Sequence, residues 1–169
     1  MSGTEKTKIY YWDACIYLAW LQNEEKAHGK ECLDALLRIA KDNFEKKNII
    51  ITSTITFVEV LSSTLSEDNE RKFRRSFRHQ DHIAYDLDPP IAMKAREFRD
   101  KFSKHKSGKN LSTADAIHLA TAAIYKVDEV WTLDDGKKGK HLGLLELDGD
   151  ERADKLAIKR PHVDQPDLL

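Results

Sequence analysis

The stretch Ile9-Tyr10-Tyr11-Trp12-Asp13 is a short apolar run that ends in a carboxylic acid, a pattern typical of a buried strand. Three more acids stand beside elements that can carry them to the same place: Glu59 in Thr-Phe-Val-Glu-Val-Leu, Asp115 in Ser-Thr-Ala-Asp-Ala-Ile-His, and Asp134 in Val-Trp-Thr-Leu-Asp-Asp-Gly. A carboxylate in apolar surroundings is unfavourable without a compensating positive charge. Four of them together would repel one another unless a cation were present. The acids therefore predict a divalent metal site, and hence metal-assisted chemistry on phosphate.

Apolar runs and helical spacings alternate along the chain. The predicted strands are 9–12, 48–52, 83–87, 129–133 and 144–147. The predicted helices are 14–21, 26–46, 54–65, 67–78, 112–125 and a segment that begins after Asp88-Pro89 and continues to Phe102. Strands that alternate with helices predict an α/β fold with a mostly parallel sheet.

The predicted topology gathers the four acids. Ligands of open α/β sheets bind beyond the carboxyl ends of the strands. Asp13 directly follows the first predicted strand, and Asp134 directly follows the fourth. Glu59 and Asp115 lie in the first turns of helices that begin at the same edge. One rim of the sheet is therefore expected to hold all four.

Helix capping is a simpler interpretation of each acid taken singly. Glu59 and Asp115 each follow a Thr or Ser by three residues, which fits the capping-box pattern. Asp13 fits a cap for the helix after it, and Asp134 fits a turn with the residues that follow. The capping interpretation must place four separate caps on one edge of one sheet, so a shared metal site is favoured over it.

Length and composition indicate one domain with a sizeable core. The chain has 169 residues, 40% of them hydrophobic, and a formal net charge of −1, so the molecule as a whole is not a basic nucleic-acid binder. We expect this domain to occupy residues 1–147. Residues 148–169 are polar with little periodicity, which predicts a C-terminal tail or surface extension.

The sequence favours a cytoplasmic protein without a membrane span. No apolar run approaches the ~18 residues that a span needs. The first residues lack the apolar stretch of a signal peptide. The two cysteines, Cys15 and Cys32, have no metal-binding spacing, and a disulfide framework is not expected.

The four acidic motifs, in this order, resemble the PIN-domain family and, within it, the VapC toxin ribonucleases of toxin–antitoxin pairs. The resemblance covers roughly residues 8 to 147. It includes the acid after the first strand, the Glu in an apolar helix, the Asp-Ala-Ile-x-x-Ala segment at Asp115, and Thr-x-Asp at Thr132 and Asp134. It implies a single PIN-like domain in which a mostly parallel sheet of about five strands is sandwiched by helices.

A Mg²⁺ or Mn²⁺ cofactor is the expected centre of such a site. Mg²⁺ prefers oxygen ligands, keeps several waters and needs only one or two carboxylates directly. We expect Asp13 and Asp115 to be direct ligands and Asp134 to serve a second ion or the attacking water. Glu59 is expected to act through water, as an outer ligand or a base. Thr132 is expected to fix Asp134 by a hydroxyl hydrogen bond.

Two positions depart from the family pattern. Cys15 stands where the family commonly has Asn or Ser, so the polar support that this position usually gives the site is in question. Asp135 directly follows Asp134, which leaves open which of the two faces the metal, although the Thr-x-Asp spacing favours Asp134.

The resemblance implies an endoribonuclease that leaves 5′-phosphate and 3′-hydroxyl ends, pairs with a cognate antitoxin protein and forms a homodimer. Candidate RNA-binding residues are Lys137, Lys138, Lys140, Arg74 and Arg75. The alternative is a catalytically weak PIN module that serves as an RNA- or protein-binding adaptor. A phosphatase of the haloacid-dehalogenase type is disfavoured, because Asp13 is followed by Ala14-Cys15 and not by the second aspartate of that pattern.

Overall fold

The computed structural model of the chain describes residues 6–163. Within that range the strands are Lys8–Trp12 (β1), Asn48–Ser53 (β2), His82–Tyr85 (β3), Glu129–Trp131 (β4) and Ile158–Lys159 (β5). The α-helices are Ala14–Gln22 (α1), Glu25–His28 (α2), Lys30–Phe44 (α3), Ile55–Leu61 (α4), Glu67–Ser76 (α5), Pro89–Lys101 (α6) and Thr113–Ile124 (α7). Two 3-10 helices span Leu144–Leu147 and Glu151–Ala153.

The strands form one parallel sheet in the order β3-β2-β1-β4-β5. Successive side chains of a strand point to opposite faces. Trp12 accordingly belongs to the core on one face and Tyr11 to the core on the other. A parallel strand covered on both faces needs an apolar residue at nearly every position, which explains the run that precedes Asp13. The predicted α/β fold with a sheet of about five parallel strands is confirmed.

Helices cover both faces of the sheet. The core on the Trp12 face takes buried side chains from α1, α3, α4 and α5. The core on the Tyr11 face takes them from α6 and α7, which pack closely against each other. The helices cover the faces of the sheet but not the edge formed by the carboxyl ends of its strands. The helices α1, α4 and α7 begin at this edge.

The strand order contains one reversal, which determines where a ligand fits. From β1 the chain adds β2 and β3 on one side, and it then returns to place β4 and β5 on the other side. The crevice at such a reversal is the usual ligand site of an open α/β sheet. Here it lies between the carboxyl ends of β1 and β4, directly beside Asp13 and Thr132.

Two predicted helices differ in extent from the observed ones. The helix predicted over 26–46 is divided at Gly29, whose φ of 90° belongs to a region that favours glycine. The chain therefore turns between α2 and α3. The helix predicted over 54–65 ends at Leu61, four residues early.

The strand predicted over 144–147 is wrong, because these residues form a 3-10 helix. Leu144 and Leu147 are both buried, and their spacing of three residues points them to the core from a tight helical turn. The place beside β4 in the sheet is taken by β5, with Val130 opposite Ile158.

The fifth strand thus lies within the segment predicted as a polar tail or extension. Residues 148–163 lie against the sheet, and Ala153 and Ile158 are buried in the core on the Tyr11 face. The division at residue 147 stays a prediction, and residues 164–169 lie outside the described part of the chain. Between residues 6 and 163, no helix has the length and apolar character needed to cross a lipid bilayer.

A buried histidine joins β3 to the helices of the Trp12 face. His82 is 5% exposed, its Nδ1 lies 3.1 Å from Asn43 Oδ1, and its Nε2 lies 2.8 Å from the Tyr17 hydroxyl. The Asn43 amide nitrogen already donates to two backbone carbonyls, so its oxygen must accept from the His82 Nδ1–H. The neutral ring then accepts from Tyr17 at Nε2. Burial lowers the pKa of His82 to about 3, with a smaller effect from the charge of His79.

This histidine is expected to destabilise the fold in mild acid. The pKa of an unfolded histidine is about 6.5, so below that pH the unfolded chain takes up a proton that folded His82 excludes until about pH 3. Between pH 7 and 5, His82 should lower the free energy of unfolding by about 2 kcal/mol. In urea unfolding, His82→Gln should therefore lose about 2 kcal/mol less over this interval than the wild type does. An unchanged dependence in His82→Gln would contradict the assignment.

Candidate functional site

Asp13 lies at the carboxyl end of β1 and caps α1. Its side chain is 5% exposed. Oδ1 accepts hydrogen bonds from the Ile16 backbone N–H at 3.1 Å and the Cys15 thiol at 2.8 Å, and Oδ2 accepts one from the Thr132 hydroxyl. Burial raises the pKa of the Asp13 carboxyl, against the opposing effects of the His118 charge and of these hydrogen bonds. A buried carboxylate with this much support is held in one orientation.

Thr132 joins the ends of β1 and β4. Its hydroxyl donates to Asp13 and accepts from the Asp134 backbone N–H at 3.1 Å. The hydrogen bond between these two residues therefore runs from the Asp134 backbone N–H to the Thr132 hydroxyl and does not involve the Asp134 carboxylate. Thr132 thus positions both acids at once.

The Asp134 carboxylate is held by the loop that follows it. Oδ1 accepts from the Gly136 N–H at 3.1 Å, and Oδ2 accepts from the Leu144 N–H at 3.2 Å. Gly136 has a φ of 71°, and a Cβ on Gly143 would lie 2.1 Å from the Gly136 nitrogen, so both glycines are needed for the close approach of the two chain segments. The turn interpretation of Asp134 is correct, and it is compatible with a place in the site.

Asp135 points elsewhere. Its Oδ1 accepts from the Lys137 N–H at 3.0 Å, and its carboxylate pairs with the Lys137 ammonium at 3.5 Å. The pKa of Asp135 is lowered, chiefly by the Lys137 backbone hydrogen bond. Asp134, by contrast, is close enough to Asp115 for its charge to raise the pKa of that acid. These contacts support Asp134 as the acid that faces the site.

Asp115 occupies the first turn of α7. The Ser112 hydroxyl caps the helix by accepting from the Asp115 N–H at 3.0 Å, and it donates in turn to Asp115 Oδ2. Burial raises the pKa of the Asp115 carboxyl, and the negative charges of Asp134 and Glu59 add to the increase. Ser112 and the nearby His118 oppose it. The cap therefore sets the orientation of this acid through its Oδ2.

Glu59 does not form the capping box that its spacing suggested. Thr56 lies inside α4, and its hydroxyl is hydrogen-bonded to Thr52 at 2.7 Å. The Glu59 carboxylate instead contacts a side chain from the opposite side of the rim, with Oε2 at 2.8 Å from His118 Nε2. His118 is buried at 2% exposure, and its Nδ1 lies 2.7 Å from the Tyr11 hydroxyl.

The four predicted acids and His118 form one electrostatic cluster. Burial lowers the pKa of His118, but the hydrogen bond and charge of Glu59, followed by the charges of Asp13 and Asp115, raise it overall. Asp134 acts on the same cluster through Asp115. Successive acids of this cluster are separated by 46, 56 and 19 residues in the sequence, and the fold brings them to one rim.

The chemistry of this cluster fits a divalent ion that keeps most of its water. Within residues 6–163, no group of three or more His, Cys, Asp and Glu side chains is arranged as a ready-made metal cage. Mg²⁺ does not require one, because one or two carboxylates and several waters satisfy it. Burial raises the pKa of both Asp13 and Asp115, and a cation beside them would favour their ionised forms.

A cleft of about 520 Å³ opens beside Asp134. Side chains from four parts of the chain line it, and they include Cys15, His28, Asp134, Asp135, Lys138 and Arg160. Arg160, which follows β5, was not singled out by the sequence because the segment around it shows no regular pattern. Neither Lys138 nor Arg160 forms an ion pair with a carboxylate of residues 6–163.

The two arginine candidates on α5 lie apart from this cleft. Arg74 pairs with Glu70 on the exposed face of α5 at 2.8 Å. Arg75 lines a separate groove of about 420 Å³ between α3 and α5, together with Trp20 and Phe44. No hydrogen bond or ion pair among the described residues connects either arginine to the acidic rim.

Comparison with known families matches residues 10–138 to the model described as the PIN domain. The matched segment contains all four acids of the cluster, from Asp13 to Asp134. Among curated proteins, no relative matches the chain in sequence.

One solved structure shows the same fold at low sequence identity. A chain of the crystal structure of VapBC2 from Rickettsia felis, bound to a DNA fragment from their promoter, is 16% identical with a TM-score of 0.58. The alignment covers 89% of this chain and 97% of that one. A toxin-antitoxin complex from Klebsiella pneumoniae gives 18% identity and a TM-score of 0.46 over 79% of this chain and 95% of that one.

Cys15 should be replaceable by serine but not by alanine. Burial and the charge of Asp13 raise the pKa of the Cys15 thiol well above its usual range, so it stays protonated and donates to Asp13. Its sulfur also accepts from the Leu133 N–H at 3.1 Å. Cys15→Ala removes both bonds and should lower the free energy of unfolding by about 1–3 kcal/mol.

Cys15→Ser keeps a hydroxyl for both hydrogen bonds and should be destabilised less than Cys15→Ala in the same urea titration. Equal stability of the two variants would show that these hydrogen bonds do not hold the site. The buried Cys32 offers a control, since Cys32→Ser alters a thiol outside the acidic rim.

Proposed function

The chain belongs to the PIN-domain family, and on that premise we propose that it is a metal-dependent endoribonuclease of the VapC toxin type. The observation that carries the proposal is the acidic rim at the β1–β4 reversal: Asp13, Asp115 and Glu59 each act on the pKa of His118, and Asp134 acts on that of Asp115. Helix capping explains the position of Asp13 and Asp115 singly. It gives no reason for Glu59 to be held at the same rim by a buried histidine.

Asp13 and Asp115 are the residues proposed to hold the ion, which is Mg²⁺ or Mn²⁺. A bound divalent cation would lower the pKa of a water molecule and neutralise charge that develops on the phosphate. Asp115 presents Oδ1, since its hydrogen bond from Ser112 involves Oδ2. Asp13 Oδ2 accepts one hydrogen bond, from Thr132. A carboxylate oxygen has a second lone pair, which would be available to coordinate the ion.

Asp134 and Glu59 are proposed to orient water around the phosphate. Within the described residues, the Glu59 carboxylate makes its hydrogen bond through Oε2, to His118. Oε1 is then the atom that accepts a proton or a hydrogen bond from the attacking water. No side chain forms a covalent intermediate in this scheme, and the expected products carry 5′-phosphate and 3′-hydroxyl ends.

The substrate is proposed to be RNA, whose backbone would pass the cleft beside Asp134. Lys138 and Arg160 line this cleft and form no ion pair with an acid of residues 6–163, so they can approach phosphate oxygens. Lys137 is engaged by Asp135. Lys140 lies on the same exposed loop. Arg74 and Arg75 stay candidates for a more distant part of the RNA.

An antitoxin is the proposed protein partner. The VapBC2 structure shares the fold of this chain, and its name describes a pair. The groove between α3 and α5 has apolar and basic character, with Phe44 66% exposed beside Arg71, Lys72 and Arg75. Such a surface suits an acidic segment with apolar anchors. A homodimer and a cytoplasmic location are further proposals that follow from the family.

The adaptor alternative is less well supported. A module that only binds RNA or protein does not require four carboxylates at one rim. Burial of the Asp13 and Asp115 carboxylates is unfavourable for folding, and the hydrogen bonds that hold them at the rim offset this cost. Acids retained at such a cost are more typical of a catalytic site than of a binding surface.

Cleavage of RNA by the purified chain, free of any antitoxin, tests the proposed function. A mixed pool of single-stranded and structured RNA should be cleaved with Mg²⁺ or Mn²⁺ and not with EDTA. Asp13→Asn and Asp115→Asn should each reduce the rate by at least about 100-fold, because each removes a charge proposed to hold the ion. The exposed Asp100→Asn, on α6, is the matched control and should keep wild-type activity.

Cleavage that survives EDTA or both aspartate variants would reject the proposed site. A folded wild type that binds the same RNA without cleaving it, in either metal, would favour the adaptor.

Binding of RNA at several salt concentrations tests the cleft. In an Asp115→Asn background, the double variant Lys138→Ala with Arg160→Ala should bind RNA more weakly. The slope of the logarithm of the binding constant against the logarithm of the salt concentration should become shallower by about 0.7 for each phosphate that the protein no longer neutralises. A control with the same charge change, Lys41→Ala with Arg96→Ala, lies on α3 and α6 and should leave the slope unchanged. Equal slopes in both double variants would exclude the cleft from the RNA path.

A further inference from the structure

A line of hydrogen bonds crosses the core to the acidic rim. The Ser53 N–H donates to the Tyr11 hydroxyl at 3.1 Å, that hydroxyl lies 2.7 Å from His118 Nδ1, and His118 Nε2 lies 2.8 Å from Glu59 Oε2. Tyr11 and His118 are 0% and 2% exposed. The line therefore starts at the end of β2, passes through β1 and α7, and ends on α4.

The donors in this line can be assigned from the chemistry of its ends. The Ser53 N–H can only donate, and an ionised carboxylate can only accept. His118 Nε2 must then carry the proton given to Glu59, and His118 Nδ1 is hydrogen-bonded to the Tyr11 hydroxyl. Both ring nitrogens of the buried His118 therefore have a partner, one behind the ring and one at the rim. The rings of Tyr11 and His118 also meet edge to face, at 5.7 Å between centroids.

Glu59 has little else to keep it in place. Its helix, α4, has seven residues and no side-chain hydrogen bond at its N-cap. The neighbouring Val58 is 67% exposed, and the Glu59 side chain itself is 33% exposed. A glutamate side chain has several rotatable bonds, and an unheld one would spread over many rotamers. In the described part of the chain, His118 is the hydrogen-bond partner of this carboxylate.

We propose that His118 is a positioning residue for Glu59 and that Tyr11 positions His118. His118 contacts neither the phosphate nor the ion in this proposal; it acts by restricting the Glu59 carboxylate to the acidic rim. The inference rests on the proposed metal-dependent nuclease, in which Glu59 orients water. Mutation of a residue that is hydrogen-bonded to a metal ligand, and so orients it, commonly lowers metal affinity or activity by about 10- to 100-fold.

A double-mutant cycle on the full chain tests this role. The variants are His118→Leu, His118→Gln, Glu59→Gln and the double variant His118→Leu with Glu59→Gln. Mn²⁺ alone is titrated by calorimetry, and kcat and KM for RNA cleavage are measured separately. His118→Leu should weaken Mn²⁺ binding and lower kcat by about tenfold or more, with KM for RNA little changed. His118→Gln, whose amide can still donate to Glu59, should recover most of both.

The cycle separates positioning from a purely structural role. If His118 acts through Glu59, His118→Leu should have no further effect on Mn²⁺ binding or kcat once Glu59→Gln is present. Additive effects, or a glutamine variant as impaired as the leucine variant, would overturn the proposal. Tyr11→Phe removes one hydroxyl from the same line; if His118→Leu does not fold, this variant takes its place in the cycle, with the same masking by Glu59→Gln expected.

Failure of the inference and failure of the proposed function have different signatures. A wild type that binds Mn²⁺ and cleaves RNA, with His118→Leu and Tyr11→Phe unaffected, contradicts the positioning role alone. A wild type that neither binds Mn²⁺ nor cleaves RNA contradicts both.

Discussion

Asp13 is a carboxylate buried at the end of the central strand, and the surrounding structure depends on satisfying it. A carboxylate that loses its water is destabilising unless its oxygens accept hydrogen bonds. The three donors come from two elements: the first turn of α1 supplies the Ile16 N–H and the Cys15 thiol, and the chain after β4 supplies the Thr132 hydroxyl. Because Thr132 also accepts from the Asp134 N–H, the support of one acid sets the position of a second. The reversal of strand order between β1 and β4 is what makes this arrangement possible.

Capping and metal binding are compatible interpretations of the same acids. Asp13 caps α1, and Asp115 belongs to a capping pair with Ser112, yet a carboxylate offers about four acceptor positions and a cap needs only one. The cap therefore acts as an aligning device that leaves other acceptor positions directed at the rim. Glu59 differs, because Thr56 turns into the core to bond Thr52. Its alignment is supplied by a side chain distant in sequence, His118.

The sequence predicts the elements whose pattern is local. The apolar run before Asp13 and the cap at Asp88 were sufficient to locate β1 and the start of α6, where Asp88 accepts from the Ile91 N–H at 2.9 Å. The strand predicted at 144–147 failed because an apolar run of leucines has the same composition in a strand and in a buried 3-10 turn. The strand β5 has only two residues, too few for any alternation to be detected. The partners of His118 are likewise not predictable from a local pattern, since they stand 107 and 59 residues away in the sequence.

The central claim is that the acidic rim gathers its carboxylates in order to bind a divalent cation. The most direct test is anomalous diffraction from crystals of the chain soaked in Mn²⁺, with the rim open to solvent in the lattice. We predict an anomalous peak between the carboxylates of Asp13 and Asp115, and its loss in crystals of Asp115→Asn. Crystals that show no peak at the rim, or that bind Mn²⁺ only elsewhere on the surface, would contradict the claim.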